Sequence, residues 1–324
     1  MKLFAAIDIG SCEVEMKIFQ ITSGKGIKEI DCVCHRMELG KDVYRDGRIG
    51  VEMTDELCRV LNDFVRIMKG YRVDDWRVCA TSAVREAGNQ LVFLDRVKRH
   101  TGLEVEVLSN ASQRFMDYKS IASRENEFNR IIQKGTAIVD VGGGSIQISL
   151  FDKDRLVASQ NMKIGNLRLR ERMMNEGVSL KHYETLLTEV VKNEFLSYKK
   201  LYLKDRVISN LIVVGDHIGD AVHKNVMTRA DFLNFYDDMI YRSDEDAAGR
   251  CEVPEDVISV LRPSLVVYRC FLEAADVENI WMPGLHLTDG MAYEYAQQNR
   301  LLKLGHDFDE DILAAARNAA KRYQ

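Results

Sequence analysis

AIDIGSCEVEMKIF, residues 6–19, aligns without a gap to IVDVGGGSIQISLF, residues 138–151. Asp8 aligns with Asp140, and every later position keeps the same offset. Each copy is an apolar run, a turn that contains glycine, and a second run that alternates, which predicts a β-hairpin. Two copies in one chain predict two similar α/β halves, each opening on the same hairpin.

The turn in each copy has the composition of an anion-binding loop, because glycine admits close backbone approach and clustered N–H groups form a concave site. Asp8 and Asp140 end the first strands, where a carboxylate can hold a divalent cation or a water beside a phosphate. For a single copy of this motif, the alternative to an anion-binding loop is a strand that ends in an ordinary turn. The candidate phosphate-binding residues of the turns are Gly10, Ser11, Gly142, Gly143, Gly144 and Ser145.

The bulk composition is that of an ordinary globular protein with two domains. The chain has 324 residues, 46% hydrophobic and 29% charged, with three prolines and a net charge of -5. An acidic chain argues against bulk binding to nucleic acid or a membrane surface. No signal peptide or transmembrane helix is expected. Seven scattered cysteines without a CxxC pair predict reduced thiols and a cytoplasmic protein, and Cys32 and Cys34 fit strand alternation better than metal binding.

Hydrophobic periodicity predicts alternating helices and strands around the two hairpins. Thr54 is the predicted N-cap of the first long helix. The predicted helices cover 54–69, 89–100, 111–124, 166–174, 180–198, 230–241, 254–273, 289–298 and 308–323, and the predicted strands cover 77–80, 104–108, 155–163, 210–215 and 279–282.

The two turn motifs resemble the phosphate motifs of the actin, sugar-kinase and heat-shock chaperone superfamily. ATSAVREAGN, residues 80–89, resembles the ATSAxREAxN segment of the exopolyphosphatase / guanosine pentaphosphate phosphatase (Ppx/GppA) family. Leu39-Gly40, residues 165–169 and residues 287–291 support that resemblance. It implies an α/β fold of two actin-like, ribonuclease H-like lobes with an interdomain cleft. The expected boundaries are 1–125 for the first lobe, 126–300 for the second and 301–324 for a C-terminal helix.

The resemblance also implies a ligand, polyphosphate or guanosine penta/tetraphosphate, and water attack on its terminal phosphoryl group with Mg²⁺. Arg85 and Arg168 are the expected phosphate contacts, because a planar guanidinium suits phosphate oxygens. Helix N-termini at Ser82 and Asn166 are expected to add anion-binding amides. A homodimer is a further expectation, since family members often pair.

Two positions depart from the family pattern. The family has SGxEEAR where this chain has SNASQR over residues 109–114, so the usual catalytic glutamate falls on Gln113. The second motif normally ends GGGSxE, and here that glutamate is Gln147. An amide cannot accept a proton from water near neutral pH, so these positions predict ligand binding with weak or absent hydrolysis.

Other interpretations stay open at this stage. Glu13, Glu15 or Glu86 is an alternative general base in place of Gln113. A second alternative is slow hydrolysis that depends only on positioning and electrostatics. If active, the chain is a phosphohydrolase of the family type. The alternatives from other classes are a non-catalytic phosphate-chain sensor and an actin-like scaffold protein.

Overall fold

The structure, a computed structural model, describes residues 1–153, 155–175, 180–203, 206–215 and 217–302, together with 310, 313, 316, 317 and 320. The chain divides into two compact units. Unit 1 combines Met1–Arg124 with residues 286–302, and unit 2 is formed chiefly by Glu125–Leu285. The predicted helix over 308–323 lies largely outside the described residues. Within the described part, no helix is both long and apolar enough to cross a membrane.

Most predicted elements are present. The strands are β1 (Lys2–Ile9), β2 (Glu13–Thr22), β3 (Gly26–Arg36), β4 (Asp75–Ala80), β5 (Val105–Val107), β6 (Thr136–Val141), β7 (Ile146–Asp152), β8 (Arg155–Met162), β9 (Asn210–Val214), β10 (Val226–Thr228) and β11 (Asn279–Trp281). The helices are α1 (Leu39–Asp46), α2 (Val51–Tyr71), α3 (Ser82–Glu86), α4 (Gln90–Thr101), α5 (Asn110–Ala122), α6 (Glu125–Ile131), α7 (Asn166–Asn175), α8 (Leu180–Tyr198), α9 (Ile218–Val222), α10 (Arg229–Met239), α11 (Asp244–Cys251), α12 (Glu255–Ala274) and α13 (Leu287–Gln298). The predicted α/β fold class is confirmed.

The unit 1 sheet has the order β3-β2-β1-β4-β5. β1 and β2 pair antiparallel as the predicted hairpin, while β4 and β5 run parallel to β1. Apart from the alternation of Cys32 and Cys34, little in the sequence predicts β3, because its side chains are exposed or half-buried along the whole strand.

The two faces of this sheet pack against different helices. Ala5 and Ile7 of β1 join the core that lies under α2. Phe4 and Ala6 join a separate core that includes residues of α5 and α13. Because side chains alternate along a strand, Asp8 is in phase with Phe4 and Ala6. Asp8 therefore lies on the α5 and α13 face, at the carboxyl end of β1.

The start of α2 differs from the prediction. The helix begins at Val51 with Gly50 as its N-cap. Thr54, the predicted N-cap, lies inside the first turn, where its hydroxyl donates to the Gly50 carbonyl oxygen at 2.8 Å. Asp42 of α1 fixes Gly50 by accepting from its N–H at 3.0 Å. That contact comes from another helix, so periodicity within α2 could not indicate it.

The unit 2 sheet has the order β10-β11-β9-β6-β7-β8. β6 and β7 form the second predicted hairpin, and β9 runs parallel to β6. α7 and α8 both pack on α12. The large hydrophobic core of this unit includes the inward side chains of β6, β7 and β9 and the buried face of α12.

α13 belongs to unit 1, although the sequence boundaries assign residues 126–300 to the second lobe. The physical reason is packing across a long sequence separation. α13 contacts α5 and β1, and Leu287 and Met291 complete the core around Phe4. Gly290 allows α13 to approach α5 closely, since a Cβ at this position would lie 2.0 Å from the Met116 carbonyl oxygen.

Candidate functional site

The two glycine turns have the same geometry, as their sequence duplication predicts. In unit 1 the Gly10 N–H donates to the Glu13 carbonyl oxygen at 2.9 Å. In unit 2 the Gly142 N–H donates to the Ser145 carbonyl oxygen at 3.0 Å. Both turns are therefore closed by the same backbone hydrogen bond at aligned positions.

The strand register places equivalent pairs of side chains beside these turns. Asp8 lies opposite Glu15 in the first hairpin, and Asp140 lies opposite Gln147 in the second. Directly opposite residues on an antiparallel pair share one face of the sheet. Each turn is thus preceded by an aspartate that pairs with one long polar side chain after the turn, a glutamate in unit 1 and a glutamine in unit 2.

In unit 1, three loops meet at the carboxyl edge of the sheet. The Thr81 N–H donates to the Ile9 carbonyl oxygen at 3.2 Å, and the Leu108 N–H donates to the Ala80 carbonyl oxygen at 2.9 Å. These bonds continue the β1–β4–β5 ladder past the ends of the strands. They bring the glycine turn, the ATSAVREAGN segment and the start of α5 to the same edge.

A cluster of three hydroxyls lies in this turn, and sequence analysis missed one of them. Ser11 Oγ is 2.9 Å from Ser82 Oγ and 2.8 Å from the Tyr44 hydroxyl, which is also 3.2 Å from Ser82 Oγ. Ser11 and Ser82 are buried and Tyr44 is half-buried. The Gly40 N–H donates to the Ser11 carbonyl oxygen at 2.9 Å. Because Tyr44 follows Gly40 by four residues on α1, it shares that face of the helix, a signal that could have located it.

Arg85 and Gln113, both predicted site residues, lie together. Arg85 Nη1 donates to the Leu108 carbonyl oxygen at 2.6 Å and to Gln113 Oε1 at 3.4 Å. Gln113 is in the first turn of α5, whose N-cap Ser109 accepts from the Ser112 N–H. The position of the missing family carboxylate is therefore next to the guanidinium that is expected to contact phosphate.

Glu15, an alternative base, is already engaged. Its carboxylate oxygens lie 2.7 Å from His286 Nδ1 and 2.5 Å from Thr288 Oγ1. Burial raises the pKa of Glu15, but the charge and hydrogen bond of His286, together with Lys17 and Thr288, outweigh burial and lower it to about 2. A carboxylate with so low a pKa has little affinity for a proton from water, so Glu15 itself is a poor general base near neutral pH.

In unit 2, the start of α7 packs directly on the glycine turn. The Asn166 and Arg168 N–H groups donate to the Gly142 and Gly143 carbonyl oxygens, each at 3.0 Å. Two N–H groups of the helix N-terminus that was expected to bind an anion are therefore bonded to the turn itself. Anion binding at this helix N-terminus stays a prediction. Gly165 makes the approach possible, since a Cβ there would lie 2.4 Å from the Gly142 and Gly143 carbonyl oxygens.

Arg168, the second expected phosphate contact, lies at the second turn, where its Nε donates to the Gly144 carbonyl oxygen at 2.9 Å. The side chain thus places a positive charge beside three of the predicted phosphate-binding residues, Gly142, Gly143 and Gly144.

Asp140 and Gln147 are in contact at the end of β6. Gln147 Nε2 donates to Asp140 Oδ2 at 3.3 Å. Gln147 is buried, and its Oε1 makes no hydrogen bond with any described residue. Gly215, with φ of 75°, passes close by, and a Cβ there would lie 3.0 Å from Asp140 Oδ1. The turn after β9 therefore needs glycine to leave room for the aspartate.

The described residues contain no group of three or more His, Cys, Asp or Glu side chains placed to hold a metal ion. Mg²⁺, however, commonly binds through one or two carboxylates and completes its shell with water and phosphate oxygens. Asp140 Oδ and the unbonded carbonyl oxygen of Gln147 are hard oxygen donors of that kind. The donor set in unit 2 fits Mg²⁺, whose remaining ligands would be water and the oxygens of a bound ligand.

Two α/β units, each built on a hairpin with a closed glycine turn, define a protein with a duplicated hairpin motif. The chain belongs to the Ppx/GppA phosphatase family, whose model matches residues 17–298. The resemblance seen in the sequence is thereby confirmed.

Several curated relatives match about half of this chain. The bifunctional 3-dehydroquinate synthase/phosphatase of Fusobacterium nucleatum is 27% identical over 180 residues, 52% of this chain and 26% of that protein. Exopolyphosphatase 2 of Mycobacterium tuberculosis is 27% identical over a region that covers 53% of this chain and 54% of the length of that protein. The guanosine-5'-triphosphate,3'-diphosphate pyrophosphatase of Vibrio parahaemolyticus is 23% identical over a region that covers 50% of this chain and 32% of the length of that protein. The matched region thus spans at most about half of these relatives.

Solved structures match almost the whole chain. An exopolyphosphatase from Cytophaga hutchinsonii superposes with a TM-score of 0.80 and 17% identity, covering 92% of this chain and 98% of that one. The Ppx/GppA family member from Aquifex aeolicus gives a TM-score of 0.73 and 22% identity, and the match covers 92% of this chain and 98% of that one. At these identities the match establishes the fold.

Proposed function

We propose that this protein binds polyphosphate or guanosine penta/tetraphosphate at its glycine turns, and that it hydrolyses the terminal phosphate slowly or not at all. The observation that carries the proposal is the placement of two amides where the family has carboxylates. Gln113 Oε1 lies 3.4 Å from Arg85 Nη1, and Gln147 Nε2 lies 3.3 Å from Asp140 Oδ2. Both amides are held beside the groups expected to meet the phosphate and the metal.

Binding would rest on backbone amides and on the two arginines. Arg85 is already tied to the Leu108 carbonyl oxygen, so its guanidinium is held in place at the edge of the unit 1 sheet. Arg168 is similarly held by the Gly144 carbonyl oxygen. Preorganised guanidinium groups lose little freedom on binding a phosphate, which favours affinity. Replacing two carboxylates by amides also removes negative charge that would repel a polyanion.

Hydrolysis would suffer because an amide accepts no proton from water near neutral pH. Losing a positioned general base typically lowers a rate by about 10²–10⁴-fold. When bound, Mg²⁺ would neutralise charge on the phosphate oxygens, and Asp140 and Gln147 would hold it. A neutral Gln147 should hold the cation more weakly than a glutamate would.

The test compares the protein with variants that restore the carboxylates. Phosphate release from long-chain polyphosphate and from guanosine pentaphosphate is measured with Mg²⁺ at high protein concentration. Gln113→Glu and Gln147→Glu are made singly and together, and Gln133→Glu, which adds the same charge at an exposed position, is the matched control. We expect the double variant to release phosphate at least about 10²-fold faster than the unaltered protein and the control.

Ligand binding is followed separately, by protection against thermal unfolding. Protection without release supports the proposal and makes the protein a phosphate-chain sensor. Fast release by the unaltered protein, with no gain in the double variant, would contradict the assignment of the two amides. Absence of protection by either ligand would refute binding itself.

A further inference from the structure

Unit 2 carries three polar side chains in a row across neighbouring strands, beside the second glycine turn. Asp140 on β6 lies opposite Gln147 on β7, and Gln147 lies opposite Asn161 on β8. Directly opposite residues of antiparallel strands share one face of the sheet, with Cβ atoms about 4.5–5.5 Å apart. We call these three side chains the polar row. Asn161 is the member of the row that the proposed function does not use.

The polar row lies on the face of the sheet that does not line the main core of unit 2. The strand neighbours whose side chains belong to that core are Val139, Val141, Ile146, Ile148 and Met162. Side chains alternate along a strand, so the polar row is on the opposite face. At the other end of that face, Phe128 of α6 meets Phe151 edge to face at 5.9 Å between ring centroids. The polar row is therefore at the end that is next to the turn.

Two carbonyl oxygens of the polar row are buried without a hydrogen-bond donor among the described residues, Gln147 Oε1 and Asn161 Oδ1. Gln147 is 2% exposed. Its Nε2 donates to Asp140 Oδ2 at 3.3 Å, which orients the amide and leaves Oε1 as the atom that can meet a ligand. A buried acceptor without a donor costs free energy and is commonly explained by a bound water or ion. Two such oxygens on directly opposite residues indicate one shared partner.

A hard cation is the partner that suits these donors. The polar row offers one carboxylate and two amide oxygens, and oxygen ligands of this kind are those that Mg²⁺ and Mn²⁺ prefer. Because β7 lies between β6 and β8, Asn161 adds its oxygen on the side of Gln147 that is away from Asp140. The single carboxylate supplies the charge that attracts the cation, and the two amide oxygens supply further ligands without adding charge.

We propose that Asn161 is a third ligand of the divalent cation in unit 2, through its Oδ1, beside Asp140 and Gln147. The inference rests on the proposed function, which gives the cation its place at Asp140 and Gln147. It assigns to β8 a part in a site that the duplicated motif, which covers only β6, the turn and β7, does not indicate.

The experiment measures the binding of Mn²⁺ alone, as a paramagnetic probe of the Mg²⁺ site, from the electron paramagnetic resonance signal of free Mn²⁺. The proteins are the unaltered chain, Asn161→Leu, Asn161→Asp and Gln160→Leu. Gln160 is a matched control, because it precedes Asn161 on β8, lies on the other face of the sheet and accepts from the Tyr202 hydroxyl at 3.3 Å.

The three variants should differ in Mn²⁺ affinity. Asn161→Leu should weaken binding at least about 10-fold, the scale on which metal sites respond to the loss of a supporting group. Asn161→Asp should strengthen binding by about 10-fold, because a carboxylate adds charge to the ligand set. Gln160→Leu should leave the affinity unchanged.

Thermal unfolding separates a ligand from a residue that only packs. Loss of a ligand should remove the stabilisation that added Mg²⁺ gives, whereas a packing role would lower the unfolding temperature without metal and leave Mn²⁺ affinity unchanged. Asn161→Asp has nearly the shape of asparagine, so it tests the inference even where leucine disturbs the strand.

The outcomes distinguish this inference from the proposed function. Equal Mn²⁺ affinity in the unaltered chain and Asn161→Asp would overturn the inference, and so would an unaltered chain that binds no Mn²⁺. Protection of that chain by polyphosphate in either case leaves the proposed binding function standing. Mn²⁺ affinity that depends on Asn161, without protection by either phosphate ligand, would support the cation site and refute the proposed function.

Discussion

Replacing the buried carboxylate of Glu15 by an amide tests the electrostatics of unit 1 most directly. Glu15→Gln keeps the shape of the side chain, and an amide oxygen can still accept from Thr288. The substitution removes the negative charge that faces His286 and Lys17. The structure therefore predicts a loss of stability that is chiefly electrostatic and confined to unit 1.

The size of the effect follows from the pKa of Glu15. Its pKa falls from 4.5 to about 2 in the folded protein. At 1.36 kcal/mol for each pH unit, this difference corresponds to about 3 kcal/mol of folding free energy at neutral pH. Glu15 is 6% exposed, so solvent screens little of this interaction. A domain with a typical stability of about 5–15 kcal/mol would remain folded after such a loss.

The pH dependence has a definite sign. A carboxylate with a lowered pKa stabilises the folded state fully above pH 4.5, and the stabilisation disappears as the pH falls from 4.5 to about 2. The unaltered protein should lose this contribution on acidification, whereas Glu15→Gln has none to lose. The two stabilities should therefore converge at low pH.

The assay uses the placement of the two tryptophans, Trp76 in unit 1 and Trp281 in unit 2. Urea unfolding is followed by fluorescence in a Trp281→Phe background, so that Trp76 reports unit 1 alone. Glu104→Gln, which removes an exposed carboxylate from a surface ion pair with Lys98, is the matched control and should have no measurable effect. Equal stability of Glu15→Gln and its parent at pH 7 would refute the reasoning, and so would a difference that persists at pH 2.

Two substitutions test the close backbone contacts. Gly290→Ala should destabilise unit 1 by about 1–3 kcal/mol, because its Cβ would lie 2.0 Å from the Met116 carbonyl oxygen. Gly70→Ala, in α2 with nothing within 4 Å, should instead stabilise it by about 0.5–1 kcal/mol, and urea unfolding distinguishes the signs. Gly165→Ala should displace the second glycine turn and weaken the thermal protection by polyphosphate, because its Cβ would lie 2.4 Å from the Gly142 carbonyl oxygen. Unchanged protection in Gly165→Ala would show that the packing of α7 on the turn is not needed for binding.

Features encoded by neighbouring residues could be predicted well. α4 ends at Thr101, one residue beyond the predicted end at residue 100, and Gly102 caps it in the left-handed conformation. The helix predicted over 180–198 has the bounds of α8. The duplicated hairpins carry the same closing hydrogen bond, because the same local pattern of strand, glycine and strand occurs twice.

Features that depend on distant contacts were not predictable. Glu15 was considered as a base, but its partner His286 is 271 residues away and takes it out of that role. The hydroxyl contact of Ser11 with Ser82, 71 residues further along the chain, likewise depends on how the segments pack. The hydrogen bond from the Asn166 N–H at the start of α7 to the Gly142 carbonyl oxygen is another such contact.

The sequence by itself determined the α/β class, the two glycine-turn motifs, the family, and the two amides at Gln113 and Gln147. These properties reside in short segments, where glycine freedom, side-chain alternation and the choice of amide or carboxylate act locally. Only the tertiary structure decided that α13 returns to unit 1 and that His286 reaches Glu15. Burial and charge pairing depend on which distant segments pack together, and that is a property of the folded chain as a whole.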